Sequence, residues 1–397
     1  MIDSADQLLL TRAIELAEQG MFSVTANPRV GCVLAKNGRV IGRGYHQQAG
    51  LGHAEVNALE DARRSNRSAD IAGSTAYVSL EPCCHAGRTR ACTEVLTEAG
   101  IIRVVVAMLD PHPEVAGEGV NRLRAAGIQV DVADRVDAQR LNYGHVKRMR
   151  SGLPYVRIKV AQSLDGRTAM ASGESQWITS EVARRDVQYW RARSGAVVTG
   201  IGTALADDPS LNVRLSELSA EIAGQQMLRQ PLRVLLDSHA RADRACKLLT
   251  DGHPTLWVVA GSVSDAPELS ARAACEVLEL PSEGPGHRLG LSELLKELAG
   301  RGCNEVLVEA GATLVGECLA QGLWDELLIY TAPKLLGSDA RPTAQLALTS
   351  MSQAIEAKIA AVDLVGSDVR TRLVRLDADL DRLDCSPLGV PPGFLSV

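Results

Sequence analysis

The sequence predicts two consecutive α/β domains, over residues 1–147 and 148–376, followed by an irregular tail over residues 377–397. Strand-like runs alternate with amphipathic helical runs in both halves. The chain has 397 residues, whereas a single hydrophobic core stops growing near roughly 250 to 300 residues. Residues 147–154 combine charge, Gly and Pro, as domain boundaries do, and the tail holds three prolines without a hydrophobic period.

The first domain opens with an amphipathic helix. Leu9, Ala13 and Ala17 recur at the spacing of one buried helical face, and we expect Gly20 to cap the C-terminus of this helix. Strands are predicted over residues 30–35, 75–80, 104–109 and 128–132, and helices over 54–64, 92–99 and 119–126. This alternation predicts a layered α/β domain.

The second domain is richer in strands. Strands are predicted over residues 155–161, 196–199, 232–237, 255–259, 305–309 and 326–330, and a helix over 181–193. A glycine-containing run, residues 311–316, follows one of these strands and opens a helix that extends to about residue 321. Backbone N–H groups at such a junction can bind phosphate, although helix–strand packing explains the glycines about equally well. No G-x-G-x-x-G pattern follows a strand, so the residues alone do not predict a Rossmann domain.

Composition excludes several classes of protein. Lys and Arg total 42 against 48 Asp and Glu, a formal net charge of −6, which argues against nucleic acid or an anionic membrane as a partner. No run approaches the roughly 20 apolar residues of a membrane helix, and the N-terminus is not that of a signal peptide. Nine cysteines in so long a chain do not form a disulfide framework. We therefore expect a cytoplasmic protein.

Two short segments predict a metal site. His53-Ala54-Glu55 precedes a helical pattern, and Cys83 and Cys92 lie in the segment 81–92. One imidazole and two thiolates suit tetrahedral zinc and leave a fourth position for water, whose pKa zinc lowers towards 7. A carboxylate that is not a ligand can then move the proton, as in zinc nucleobase deaminases. We therefore predict His53, Cys83 and Cys92 as zinc ligands and Glu55 as the catalytic proton carrier.

Two alternatives to this reading remain open. Isolated His and Cys residues often have no role beyond packing, and a closed structural zinc site could recruit Cys84 or His85 as its fourth ligand. The closed site leaves Glu55 without a function. Adjacent residues seldom direct both side chains at one metal, so we interpret Cys84 as a residue near the site that does not bind zinc.

The motifs together resemble a known family. In the first half these are Asn27-Pro28-Arg29-Val30-Gly31, Gly44-Tyr45-His46, His53-Ala54-Glu55, Glu81-Pro82-Cys83 and Gly87-Arg88-Thr89 with Cys92. In the second half they are residues 159–167 (KVAQSLDGR), 174–179 (ESQWIT), 205–209 (LADDP) and 308–311 (VEAG). In this order, over about residues 3–376, they resemble the bifunctional deaminase–reductase family of riboflavin biosynthesis. Ala26, Cys84, Ala86, Arg90 and Ala91 depart from the family pattern, all in loops.

The resemblance implies a cytidine-deaminase-like α/β/α layered domain followed by a dihydrofolate-reductase-like α/β domain with a mostly parallel sheet. The first would replace an aromatic amino group of a ribosylaminopyrimidine phosphate with oxygen. The second would use NADPH to convert the ribosyl group to a ribityl chain. Asn27 and His46 would line the first pocket, although for Asn27 a turn role before Pro28 is equally consistent. The implied cofactors are Zn²⁺ and NADPH, and the implied assembly is a homo-oligomer through the reductase domain.

The resemblance also implies the reductase site, residue by residue. Cofactor contacts are implied for Ala161, Trp177, Thr203, Asp207, Ser238, Gly311, Ala312, Thr313, Leu314, Val315, Gly316 and Glu317. Contacts with the phosphorylated sugar are implied for Ser175, Arg191, Leu211, Arg214 and Glu309. Lys159 and Asp165 would orient the sugar or carry protons. Without the resemblance, a solvated face is the commoner role for each Arg and a buried core position the commoner fate of Trp177.

Three other functions compete with this hypothesis. A deaminase whose second domain is a scaffold without reductase activity would not bind NADPH. An RNA-editing deaminase would carry a basic strip interleaved with aromatic residues, which this acidic chain lacks. A structural zinc protein would hold zinc without an exchangeable water.

Overall fold

The computed structural model describes residues 2–85, 90–112, 115–225, 227–261, 274–283 and 288–376. The chain divides into two compact units, Met1–Leu153 and Pro154–Val397. The predicted boundary after residue 147 falls inside a helix, Tyr143–Ser151. The predicted tail, residues 377–397, lies outside the described residues, as does Ala86. Among the described helices, none has both the length and the apolar character needed to cross a membrane.

The first unit is built on a five-stranded sheet. Its helices are α1 Ser4–Glu18, α2 Ala54–Arg64, α3 Ser68–Ile71, α4 Cys92–Glu98, α5 Glu118–Ala125, α6 Val136–Leu141 and α7 Tyr143–Ser151. Its strands are β1 Gly31–Lys36, β2 Arg39–Tyr45, β3 Thr75–Val78, β4 Arg103–Val106 and β5 Gln129–Val132, in the order β2-β1-β3-β4-β5. β3, β4 and β5 are parallel, whereas β1 runs antiparallel to β2 and β3.

Helices cover both faces of this sheet. On one face, Ala58 of α2, Leu96 of α4 and Leu123 of α5 share a buried apolar cluster with the strands. On the other, α1 approaches so closely that a Cβ on Gly31 would lie 2.0 Å from the carbonyl oxygen of Ala13. The three layers confirm the predicted α/β/α fold of the first domain.

Two expectations for this unit were wrong. The first helix ends at Glu18 with Gln19 as its cap, because Gly20 serves instead to let the chain pass close to the carbonyl oxygen of His46. Sequence patterning also missed β2, α3, α6 and α7. The helices α6 and α7 carry too few apolar residues at helical spacing to stand out.

The second unit contains a nine-stranded sheet. Its strands are β6 Tyr155–Ser163, β7 Arg167–Ala169, β8 Ala196–Gly200, β9 Leu232–Leu236, β10 Thr255–Val259, β11 Cys275–Glu279, β12 Ser282–Glu283, β13 Arg288–Leu289, β14 Glu305–Glu309, β15 Glu326–Ala332, β16 Arg341–Pro342, β17 Ala357–Val365 and β18 Asp368–Arg375. Its helices are α8 Glu181–Arg193, α9 Ile201–Asp207, α10 Ala220–Ala223, α11 Lys247–Thr250, α12 Leu291–Gly300 and α13 Ala312–Ala320.

Seven strands of this sheet are parallel. The order is β11-β10-β9-β8-β14-β6-β15-β18-β17, and only β18 and β17 run antiparallel to their neighbours. This confirms the predicted mostly parallel sheet. The carboxyl ends of parallel strands lie at one edge of a sheet, where open α/β sheets bind their ligands. The hairpin β17–β18 was not predicted.

Buried ion pairs hold the central strands of this sheet together. Arg157 of β6 lies between Glu305 of β14 and Glu326 of β15, with Nη1–Oε2 and Nε–Oε2 distances of 3.2 and 2.7 Å. Despite burial, the arginines Arg157 and Arg372 lower the pKa of Glu326 to about 2. The network fixes the register of the two strands that carry Lys159 and Glu309 into the cavity described below.

In the first unit, the Asp6→Asn substitution should cost about 2 kcal/mol of unfolding free energy at pH 7. Both Asp6 oxygens accept hydrogen bonds from Arg103 at 2.8 Å, which lowers the pKa of Asp6 to about 2 from its usual 3.8. A carboxyl group whose pKa is lowered by folding stabilises the folded state at pH values above its pKa in the unfolded chain. The difference in unfolding free energy between the wild type and Asp6→Asn should therefore persist above pH 4 and vanish as the pH falls towards 2.

Urea unfolding followed by circular dichroism measures this difference in unfolding free energy. Tryptophan fluorescence is unsuitable, because all four tryptophans lie in the second unit and would report only the unfolding of that unit. Glu98→Gln, which removes an exposed partner of Arg90, is the matched control and should change little. An Asp6→Asn effect that is independent of pH between 7 and 3 would contradict the role of the ion pair.

Candidate functional site

The first unit brings His53, Cys83 and Cys92 together. His53 is the residue immediately before α2, Cys92 begins α4, and Cys83 lies in the loop after β3. The His53 Nδ1 atom lies 3.2 Å from Cys92 Sγ and 3.4 Å from Cys83 Sγ, and all three ligand atoms lie within 4.8 Å of one another. Because His53 precedes the helix rather than lying within it, its ring and the Glu55 side chain can both reach the same point.

The donor set fits zinc. One imidazole nitrogen and two sulfurs are ligands that zinc prefers, and three protein ligands characterise catalytic rather than structural sites. A hydrogen bond with Cys92, together with the nearby His53, lowers the pKa of Cys83, which favours the thiolate form that binds zinc. Among the described residues, this is the cluster of three donors arranged to hold a metal.

Cys84 and His85 do not join the cluster. The Cys84 sulfur lies 3.2 Å from Nδ1 of His85, and the Cys84 carbonyl accepts a hydrogen bond of 2.6 Å from Arg122. Cys84 is buried. The arrangement gives no support to the closed four-ligand site, in which one of these residues would complete the tetrahedron.

Glu55 lies in the first turn of α2 and is only 3% exposed. Burial, with the charge of Cys83 as a second cause, raises the pKa of Glu55 to about 7. Among the residues that the structure describes, no arginine or lysine forms an ion pair with Glu55. A buried carboxyl in this situation is unusual, because the charged form is costly to desolvate. Such a group can hold or release a proton near neutral pH.

His46 and Asn27, the two predicted pocket residues, contact each other. The His46 Nδ1–H donates to the carbonyl oxygen of Gly52 at 3.2 Å, so its Nε2 accepts from Asn27 Nδ2 at 2.9 Å. The His46 ring also lies edge-on to the His53 ring, with centroids 5.3 Å apart. Asn57 fixes the same loop through bonds to the carbonyl oxygens of Tyr45 and Gly52. The structure thus places Asn27 and His46 beside the metal cluster.

Glu81 is a residue whose role sequence reasoning missed. Its buried carboxylate accepts hydrogen bonds of 3.0 Å from the backbone N–H groups of Asp110, Gly117 and Val120. It therefore anchors the start of α5 to the loop that carries Cys83. No spacing rule connects residues so far apart, so only the fold reveals this contact.

The second unit contains a large cavity at the carboxyl ends of its parallel strands, with a volume of about 1350 Å³. Sixteen of the nineteen reductase residues named from the sequence line it: Lys159, Ala161, Ser175, Trp177, Arg191, Thr203, Asp207, Leu211, Arg214, Ser238, Glu309, Gly311, Ala312, Thr313, Leu314 and Glu317. The strand-to-helix junction at Gly311, the residue before α13, opens directly into the cavity.

The structure places Val315 and Gly316 away from the cavity. Val315 is buried in the core. Gly316 faces the backbone of Gln345, where a Cβ would lie 2.1 Å from the carbonyl oxygen. They lie on the inner side of α13, because side chains three or four positions beyond the helix start turn back towards the sheet. Contacts of these two residues with the cofactor remain a prediction from the resemblance.

A charged cluster lines one part of the cavity. The Arg191 guanidinium forms a two-pronged pair with Glu309, at 2.5 and 3.0 Å, and donates to the carbonyl oxygen of Asn212 at 3.1 Å. Lys159 Nζ lies 3.8 Å from the same carboxylate. Arg214 is 48% exposed and pairs with Glu217. Two guanidinium groups with access to the cavity suit a phosphorylated sugar.

Trp177 occupies the cavity rather than the core. Its side chain is 60% exposed, and the guanidinium of Arg184 lies 4.2 Å from the ring centroid. Ser175 Oγ lies 3.5 Å from Asp207 Oδ1. Asp165 accepts hydrogen bonds from Ser163 and from the backbone of Leu336 and Gly337, so it fixes a loop and does not line the cavity.

Two family models match the chain in the same order as the two units. The cytidine and deoxycytidylate deaminase zinc-binding region matches residues 3–108, and the RibD C-terminal domain matches residues 154–370. The range matched by the deaminase model contains the metal cluster, and the range matched by the RibD C-terminal model contains the residues that line the cavity. The fold and sites therefore define a zinc-dependent deaminase joined to a reductase.

Curated relatives cover almost the whole chain. Riboflavin biosynthesis protein RibD of Escherichia coli is 47% identical over 374 residues, covering 93% of this chain and 99% of the relative. The RibD of Haemophilus influenzae is 44% identical over 375 residues, covering 92% and 96%. This chain belongs to the RibD family, the bifunctional deaminase–reductases of riboflavin biosynthesis, whose cofactors are zinc and NADPH.

Solved structures agree with this assignment. RibD of Acinetobacter baumannii superposes with a TM-score of 0.83 at 44% identity, covering 93% of this chain and 98% of that one. A diaminohydroxyphosphoribosylaminopyrimidine deaminase/5-amino-6-(5-phosphoribosylamino)uracil reductase from Thermotoga maritima gives a TM-score of 0.81 at 29% identity, with 94% and 99% coverage.

The metal cluster predicts which substitutions remove zinc. Cys83→Ser and Cys92→Ser should each lower the bound zinc from about one per chain to near zero, because two remaining ligands do not hold the ion tightly. Cys84→Ser is the matched control and should retain zinc. Elemental analysis of the purified chain by mass spectrometry measures the ratio. Loss of zinc from Cys84→Ser as complete as from Cys83→Ser would instead establish the closed structural site.

Proposed function

We propose that the first domain deaminates 2,5-diamino-6-(5-phosphoribosylamino)pyrimidin-4(3H)-one to 5-amino-6-(5-phosphoribosylamino)uracil. We propose that the second then reduces the ribosyl group of this product to ribityl with NADPH. The observation that carries the first step is the cluster of His53, Cys83 and Cys92 with the buried carboxyl of Glu55 beside it. The printed name of the Thermotoga maritima relative specifies both reactions. Domain limits of 1–147 and 148–376 are part of the proposal.

In the deamination, the chain's own residues hold the reactants and move the proton. His53, Cys83 and Cys92 hold zinc, which when bound supplies a water of lowered pKa. Glu55 would carry a proton from the attacking water to the leaving amino group, so that a C–O bond forms, the C–N bond breaks and ammonia leaves. Asn27 and His46, which are joined by a hydrogen bond, position the pyrimidine ring. Burial of Glu55 excludes solvent from the proton path.

In the reduction, the cavity residues hold and orient the sugar. NADPH supplies the hydride. Arg191, held by Glu309, and Arg214, which has access to solvent, bind the phosphate. Lys159 lies beside Glu309 and orients the sugar hydroxyl groups. Leu211, Ser175, Ala161 and Trp177 line the same cavity. Leu211 and Ser175 would complete the substrate side, and Ala161 and Trp177 would hold the cofactor.

The partners of the chain are also part of the proposal. We infer that the substrate is a small phosphorylated molecule and that the net charge of −6 leaves no role for nucleic acid or membrane. A cytoplasmic location and a homo-oligomer formed through the reductase domain remain predictions. The alternative of a second domain that serves only as a scaffold would leave the cavity without a ligand.

Glu55→Gln should lower deamination by at least about 100-fold, because the neutral amide cannot carry the proton. Zinc content should stay unchanged, since Glu55 is not a ligand. Reduction of separately supplied 5-amino-6-(5-phosphoribosylamino)uracil should also stay unchanged, which serves as the internal control. Release of ammonia and oxidation of NADPH measure the two steps. Full deaminase activity of the variant would contradict the role of Glu55.

Arg214→Gln should raise the KM of the reductase for its phosphorylated substrate by about 10-fold, with a smaller change in kcat, because it removes a charge-assisted phosphate contact. Arg185→Gln, an exposed residue of α8 that pairs with Glu181 outside the cavity, is the matched control. Deamination should be normal in both. If Arg214→Gln lowered kcat and left KM unchanged, Arg214 would not bind the phosphate.

A further inference from the structure

The loop between α1 and β1 carries Asn27, one of the two pocket residues beside the metal cluster. Residues 24–30, which include Asn27, belong to neither a helix nor a strand. The Asn27 Nδ2 atom donates to His46 Nε2 at 2.9 Å, and this bond keeps the amide in one place only while the loop backbone is itself held. The accuracy of this part of the deaminase site therefore depends on what fixes the backbone of the loop.

The residue between α6 and α7, Asn142, fixes the loop at Arg29. The Asn142 side chain is 2% exposed. Its Oδ1 accepts a hydrogen bond of 2.8 Å from the backbone N–H of Arg29, and its Nδ2 donates one of 2.9 Å to the carbonyl oxygen of the same residue. One side-chain amide thus binds both backbone groups of Arg29, as a paired residue on an antiparallel strand does.

Two arginines add to the contact between the loop and the helix pair α6–α7. The buried Arg29 donates through Nη1 to the carbonyl oxygen of Leu141 at 2.8 Å. Leu141 is the last residue of α6, where carbonyl groups have no partner within the helix. Arg148 of α7 donates through Nη2 to the carbonyl oxygen of Ala26 at 2.5 Å. The helix pair therefore holds the loop on both sides of Asn27.

The proline after Asn27 transmits this constraint. The ring of Pro28 fixes its own φ, and it restricts the residue before it, Asn27, to extended conformations. Few backbone dihedrals therefore stay free between Ala26 and Arg29. Because the chain between these two fixed points is stiff, the position of Arg29 determines the position of Asn27.

We propose that Asn142 is a positioning residue of the deaminase, which holds Asn27 where it meets the pyrimidine ring of the substrate. This inference rests on the proposed role of Asn27 in deamination. The motifs that carry the family resemblance all lie outside residues 93–158, so none of them marks Asn142. Its assignment comes from contacts across more than one hundred positions of sequence. Removal of the amide would leave two backbone groups of Arg29 without this partner and would let the loop shift.

The test measures deamination by the full zinc-loaded chain, as the release of ammonia from the diamino substrate. Asn142→Ala should lower kcat/KM by about 10- to 100-fold, as expected when a group that positions the substrate moves by roughly 1 Å. The zinc content should remain at about one per chain, which shows that the first unit is folded. Gln139→Ala is the matched control, because it removes an amide of α6 that bonds to Asp134 and not to the loop. Its kcat/KM should change by less than about threefold.

A double substitution separates positioning from a merely structural role. Asn27→Ala alone should lower kcat/KM of deamination, because it removes the contact with the pyrimidine. When Asn142→Ala is added to Asn27→Ala, the further loss should be less than about threefold, because the residue through which Asn142 acts is already absent. If Asn142 only stabilised the fold, the two losses would multiply.

Two results would overturn the inference: wild-type kcat/KM in Asn142→Ala, or an equal loss from Asn142→Ala in the presence and absence of Asn27. If Asn142→Ala failed to retain zinc, Asn142→Asp would decide, since it keeps the volume and the acceptor but loses the donor to the Arg29 carbonyl. A zinc-loaded Asn142→Asp chain should then show a lowered kcat/KM, and wild-type activity would contradict the role of Asn142. Absence of deamination by the wild-type chain would instead refute the proposed function, and the inference with it.

Discussion

The parallel strands of each sheet impose the constraint on which both sites depend. Cys83 follows β3 in the first unit, and Ser238 and Gly311 follow β9 and β14 in the second. Because the carboxyl ends of parallel strands lie at the same edge of a sheet, the sheet topology alone brings residues that are far apart in sequence close together there. Helices that begin at this edge add the remaining groups: His53 and Glu55 at the start of α2, and Cys92 at the start of α4.

Buried carboxylates with structural roles support the reacting groups. Glu81 accepts hydrogen bonds from three backbone N–H groups near Cys83, and Asp237 accepts one from the backbone N–H of Ala242 in the turn after β9. Glu309 orients Arg191 through two hydrogen bonds. Desolvated carboxylates are stable only where donors satisfy them, so each carboxylate fixes its donors in one arrangement. Such supporting contacts determine how accurately a site is held.

The spacing of apolar residues predicted those helices and strands whose buried faces are visible in the local sequence. The helices Ala54–Arg64 and Glu181–Arg193 and the strands Thr255–Val259 and Glu305–Glu309 have the bounds that their spacing predicted. Short polar helices and the hairpin β17–β18, whose apolar residues are largely exposed, gave no such signal. Motif spacing predicted the metal cluster, whereas the role of Glu81 depends on contacts that only the folded chain creates. Val315 and Gly316 show that position within a motif does not determine which way a helical residue faces.

The central claim is that one chain houses two separate sites that act in sequence. The most direct test incubates the zinc-loaded chain with the diamino ribosylaminopyrimidinone phosphate and follows the substrate by mass spectrometry, with and without NADPH. The account predicts exchange of the amino group for oxygen in both cases, and addition of two hydrogens only with NADPH. Deamination that never proceeds to reduction would make the second unit a scaffold. Absence of both changes in a zinc-loaded chain would contradict the account as a whole.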